Sequence, residues 1–105
     1  MAQLFGKIFQ QMYDSTVCED WRAMITFQQL IVLANEKGEV DMTPEAISRR
    51  TNIPLEDIIR PGIESLLKGD RLSRSKDAGG ARIVPLPDRE YGWSIPTFHH
   101  YTFII

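Results

Sequence analysis

"TPEAISRRTNIPLEDI", residues 43–58, holds two helix starts separated by a polar turn. Thr43 before Pro44 is an N-cap followed by the one helical position that welcomes proline, whose missing N–H would be unpaired there anyway. The helix so opened is short, 44–51, with Ala46 and Ile47 facing inward. Asn52 and Ile53 make a tight turn, and Pro54 opens a third helix over 55–67. Its inner side carries Leu55, Ile58, Ile59, Ile63, Leu66 and Leu67. Pro61 lies inside it and removes a backbone hydrogen bond, which predicts a kink near Arg60 or two abutting helices. Ile47 and Ile59 are expected to be buried where the second and third helices meet.

On the N-terminal side, a helix is predicted over 18–36. Trp21, Met24, Ile25, Leu30, Ile31 and Ala34 form one apolar stripe, and Phe27, Val32 and Leu33 widen it. Lys37 and Gly38 supply a basic last turn and a glycine stop, followed by a brief extended piece at 39–41. Before this helix, Phe5, Ile8, Phe9, Met12 and Tyr13 recur at helical spacing, interrupted by Asp14, Ser15 and Thr16. Residues 1–17 therefore read as an N-terminal arm or helix. On the C-terminal side, 69–81 is a polar loop with two adjacent glycines. "RIVPL" (82–86) and "YGWSIP" (91–96) read as an antiparallel hairpin with Asp88, Arg89 and Glu90 near its tip. Pro85 restricts its strand to a sheet edge. Trp21 and Trp93 read as core and hairpin-packing residues, and 97–105 as a tail.

A chain of 105 residues, 43% apolar and 25% charged, fits one globular domain. The longest uninterrupted apolar run, 30–34, is far short of the ~20 residues that span a bilayer. The first residues carry no basic leader and no continuous apolar core. A cytoplasmic protein is the expectation, with no membrane partner. Cys18 is the only cysteine, which excludes an intrachain disulfide. The net charge of −2 argues against indiscriminate coating of nucleic acid, yet it is unevenly spread. Residues 43–82 hold eight basic side chains against six acidic ones, whereas 1–42 hold three against six.

The order helix, short strand, short helix, turn, longer helix, hairpin is that of a winged helix-turn-helix domain of the α+β class. The wording is closer still. "GKIF" (6–9), "MYDSTV" (12–17), residues 21–58 and "ARIVPL" (81–86) with "YGW" (91–93) resemble a family of phage and prophage winged-helix proteins. That family is related to the N-terminal, origin-binding domains of phage replication initiators and replisome organisers. "DMTPEAISRRTNIPLE" (41–56) is the most specific part of the likeness. The resemblance implies a DNA-binding module in which the second helix braces a recognition helix and the hairpin touches the flanking backbone. Where relatives carry a Pro-Asp-x-x-Ser-Arg segment, this chain keeps Asp70, Ser73 and Arg74.

Reading DNA needs cations spaced along phosphates and short polar groups facing base edges. Arg49 and Arg50 end the second helix, Arg60 lies on the third, Arg74, Lys76 and Arg82 flank the hairpin, and Arg89 lies near its tip. Glu56 and Arg60 share an outward row one turn apart: Arg60 suits a guanine edge, and Glu56 suits cytosine or a bridge to Arg60. The same charges also fit solvated helix faces. Acids on the third helix (Glu56, Asp57, Glu64) point to an alternative, a phage protein that binds or inhibits a host or phage protein. The apolar "YTFII" end (101–105) would serve that role as a docking strand or a homodimer seam, or would simply finish the core. Catalysis and cofactors are not expected. His99 and His100 are adjacent and, on a strand, face opposite ways, so they cannot chelate one metal together. Gly79-Gly80 lacks the lysine of a phosphate loop, and no glycine-flanked nucleophile accompanies Asp14-Ser15.

Overall fold

The computed structural model describes residues 4–6, 20–68, 80–98 and 102–104, the two terminal strands by their backbone pairing. Its elements run β1 (Leu4–Gly6), α1 (Trp21–Leu33), β2 (Glu39–Val40), α2 (Pro44–Thr51), α3 (Leu55–Asp57), a segment Ile58–Ile63 interrupted by a kink at Arg60, α4 (Glu64–Leu67), β3 (Val84–Pro85), β4 (Trp93–Ser94) and β5 (Thr102–Ile104). Three helical stretches pack beside a three-stranded antiparallel sheet of order β2-β4-β3. The class is α+β.

α1 is shorter than the expected 18–36. Its start is set by Asp20, whose side chain accepts from the Arg22 N–H at 2.9 Å. Its end comes at Ala34, in extended geometry, ahead of Gly38. Asn35 explains why. Its Oδ1 accepts from the N–H of Lys37 and of Glu39 at 2.9 and 3.0 Å, folding 35–39 into a local turn that competes with the helix. Gly38, at φ 80°, completes that turn rather than stopping the helix, with the Phe98 ring packed where a Cβ would go.

The buried face of α1 is also rotated from the expected stripe in its first half. Ala23, Thr26, Phe27, Leu30 and Ile31 point inward, while Trp21 is 62% exposed. Trp21 is therefore not a core residue. The reason is a close approach that the pattern of large apolar residues does not foresee. A Cβ on Gly62 would lie 2.7 Å from both the Asp57 carbonyl oxygen and Thr26 Oγ1. Small residues, Thr26 on one side and Gly62 on the other, let the third helical stretch press against α1. The close approach leaves the Thr26 hydroxyl buried without a hydrogen-bond partner, an arrangement that typically costs about 1–3 kcal/mol.

α2 forms as its signals dictate. Thr43 Oγ1 accepts from the Ala46 N–H at 3.2 Å, Pro44 occupies the first turn, and Asn52 ends the helix in left-handed geometry (φ 59°). The third stretch breaks at Arg60, whose φ −143° and ψ 117° are extended. A residue preceding proline is pushed from helical toward extended geometry by the ring, so the expected kink is present. The Arg60–Pro61 peptide bond is cis. Beyond the break, Gly62, Ile63 and Leu66 turn inward. Ile59 does not: it is 45% exposed, and Leu67 also faces out, against the expected inner face. A continuous helix would have offered a broad apolar arc. A broken one pressed closely on α1 covers a narrow line through Ile58, Gly62, Ile63 and Leu66.

The hairpin pairs Val84 with Ser94 and Pro85 with Trp93, inside the expected 82–86 and 91–96, and β2 adds Glu39 to Ser94 and Val40 to Trp93. Pro85 sits on an edge strand, as its missing N–H requires. The N–H groups of Arg82 and Ile83 both reach the Leu66 carbonyl (2.9 and 3.2 Å), anchoring the hairpin to the end of α4. One core joins the layers: Phe27, Leu30 and Ile31 meet Ile47, Ile58 and Leu66, and Val40, Ile83, Trp93, Ile95 and Phe98 close it from the sheet side. A second pairing joins the ends of the chain, Leu4 with Ile104, Phe5 with Phe103 and Gly6 with Thr102. Phe5 therefore lies on a strand and not in the expected N-terminal helix. The apolar tail supplies a non-local partner that local helical spacing cannot reveal. The rest of that expected helix lies outside the described residues.

Candidate functional site

The corner between α2 and the third helical stretch is held by side-chain hydrogen bonds to the backbone. Ser48 Oγ donates to the Ile53 carbonyl at 2.6 Å; Thr51 Oγ1 donates to the Ile47 carbonyl at 2.8 Å and accepts from the Ile53 N–H at 3.3 Å. The Asn52 N–H donates to the Ser48 carbonyl at 2.9 Å. These bonds satisfy helix-end groups that would otherwise face water and give the corner a defined shape. The Pro54 carbonyl then accepts from the N–H groups of Asp57 and Ile58, restarting the chain as a helix.

Arg49 and Arg50 occupy the last turn of α2, both exposed. Cations are favoured there by the carbonyl end of the helix. Neither forms an ion pair with another described residue. Glu56 is exposed on α3. Arg60 is exposed too, but its Nε donates to Glu64 Oε2 at 2.5 Å. The expected row of Glu56 and Arg60 does not form because Arg60 leaves helical geometry, and Arg60 turns instead to the acid four residues ahead. Asp57 lies 3.9 Å from the Arg22 guanidinium and so belongs to the packing against α1.

Around the hairpin, Arg82 is half-buried and Arg89 is exposed. Arg89 forms an ion pair with Asp41, which ties the hairpin tip to the segment entering α2. The hydrogen bond and charge of the Asp41 carboxylate hold the Arg89 guanidinium above its ordinary pKa. Arg74 and Lys76 lie outside the described residues, as do Cys18, His99 and His100. Of the sequence-derived candidates, the structure thus places Arg49 and Arg50 exposed at the end of α2 and Glu56 and Arg60 exposed on the third helical stretch, with Arg82 just before β3 and Arg89 between β3 and β4. Sequence reasoning missed the part played by Glu64 and Asp41, which neutralise two of these cations. The spacing of Arg60 and Glu64 is a readable signal; the pairing of Asp41 with Arg89 has none in the sequence.

Comparison with protein-family models, curated proteins and solved structures gave no match. Among the described residues no group of three or more His, Cys, Asp or Glu could hold a metal ion, and no helix is long and apolar enough to cross a membrane. What the corner offers chemically is two guanidinium groups, unpaired among the described residues, on a hydrogen-bonded helix end. Guanidinium presents donors in a planar fork that matches the oxygens of a phosphate.

Proposed function

We propose that the chain is a winged helix-turn-helix module of the phage or prophage type that binds double-stranded DNA, in replication initiation or transcription control. The observation that carries this reading is the pair Arg49 and Arg50, exposed at the end of α2 and free of any described acidic partner. The element order supports it: a short helix, a tight turn and a further helical stretch are followed by a hairpin, β3–β4, whose strand β3 forms one edge of the sheet. The wording of 41–56 supports it as well.

A titration of labelled, pooled random duplex near 50 mM salt tests the reading. The expected result is saturable binding tighter than ~100 μM, the weak end of ordinary non-specific affinity. Absence of binding at that concentration removes the proposal. The exposure of Ile59 and Leu67 on the third helical stretch favours a second reading in that event, a protein-binding module on the same scaffold. A nuclease-treated pull-down separates the two, because only a protein partner survives the nuclease.

A further inference from the structure

The corner that carries the proposed DNA contact is lopsided in its chemistry. Arg49 and Arg50 have no described acidic partner, whereas two other exposed arginines of the candidate set do. Arg60 is held by Glu64 within its own helical stretch, and Arg89 by Asp41. The backbone adds a second constraint. Reading a major groove needs an outward helix that brings several side chains to successive base edges. Here the chain leaves helical geometry at Arg60, shortly after α3 begins at Leu55. The exposed residues of that short run are Glu56 and Ile59. A carboxylate has to approach a polyanion with the cation of its own stretch engaged elsewhere. An isoleucine offers no hydrogen-bonding group.

We propose that this module grips the duplex through its phosphates, with Arg49 and Arg50, and reads no base with its third helical stretch. This inference deepens the DNA-binding reading and rests on it. Guanidinium bonds to phosphate set register and affinity and carry no sequence information. The module therefore contributes affinity, and the choice of site has to come from another component. Glu64 acts as a weak brake: the ion pair is exposed, so Glu64 competes with phosphate for Arg60 without removing that cation from reach.

The test titrates the full chain against a panel of unrelated duplexes, AT-rich, GC-rich and mixed, and against a selected random pool. A single bidentate base contact discriminates by roughly 5- to 150-fold. The expected spread across the panel is below about fivefold, the lower edge of that range. Arg60→Ala is expected to leave every duplex nearly unchanged. Glu64→Gln, which frees Arg60, is expected to tighten all duplexes alike and to steepen the salt slope by up to about 0.9, one further phosphate neutralised. The inference is overturned if selection yields a duplex bound some 100-fold tighter than the rest, beyond what phosphate bonds distinguish, and Arg60→Ala erases that preference. A Glu64→Gln variant with unchanged affinity and slope overturns the brake. Failure of every duplex to bind is a different outcome, since it overturns the DNA-binding reading beneath the inference.

Discussion

Truncation of Phe27 to alanine is expected to remove about 3–5 kcal/mol of folding stability. Phe27 is 1% exposed and stands on α1 where the third helical stretch and the sheet-side residues meet. Its ring is the largest fully buried side chain of the described residues. Its removal forfeits apolar burial and leaves a cavity. Neighbours cannot collapse into the gap freely, because Gly62 already presses the third stretch against α1 at Thr26. A domain of this size commonly has only about 5–15 kcal/mol in total, so the variant should be close to unfolding at physiological temperature. Urea unfolding followed by far-ultraviolet circular dichroism would show a large fall in midpoint at unchanged slope. A loss below about 1 kcal/mol, well under the range for such truncations, would place Phe27 outside the core.

Ile47→Ala carries the second large effect, about 2–5 kcal/mol. Ile47 is the buried residue of α2 and fully enclosed, and the core cluster joins it to Ile58 of the third stretch. Removing it detaches α2 from its main apolar support while its caps remain. Ile59→Ala is the internal contrast. The residue is 45% exposed, so its truncation should stay within about 0.5 kcal/mol, as surface substitutions usually do. Equal losses at both positions would mean that the third stretch is turned about its axis relative to the arrangement described.

The contrast between those two isoleucines shows which parts of the fold are legible locally. α2 is readable throughout because its determinants are neighbours in sequence: a threonine cap, a first-turn proline and an asparagine able to adopt left-handed geometry. The break at Arg60 is readable for the same reason, since a proline constrains the residue before it. The hairpin is readable from two β-forming runs and a polar tip, although its ladder is shorter than the runs themselves. Ile59 defeats a local reading because burial on the third stretch depends on how closely that stretch approaches α1. The approach is set by Gly62 and Thr26 meeting across the fold. The pairing of Leu4–Gly6 with Thr102–Ile104 has the same character, a meeting of chain ends that helical spacing at Phe5 obscures. At the candidate site, the positions of Arg49 and Arg50 follow from the helix that bears them. Whether each cation is engaged does not, because Asp41 reaches Arg89 only through the folded chain.

The most direct test of the proposed DNA contact is the salt dependence of duplex binding by the native chain and by the charge-reversed Arg49→Glu/Arg50→Glu variant. Both side chains are exposed, so the variant should fold, and a matching circular dichroism spectrum and melting curve would establish that. Each phosphate neutralised by a cation adds about 0.9 to the magnitude of the slope of log affinity against log salt. The variant is expected to bind all duplexes more weakly, and the magnitude of its slope to fall by about 1.8, the share of two phosphates. A folded variant with unchanged affinity and slope would refute the proposed contact and take the α2 corner out of the interface.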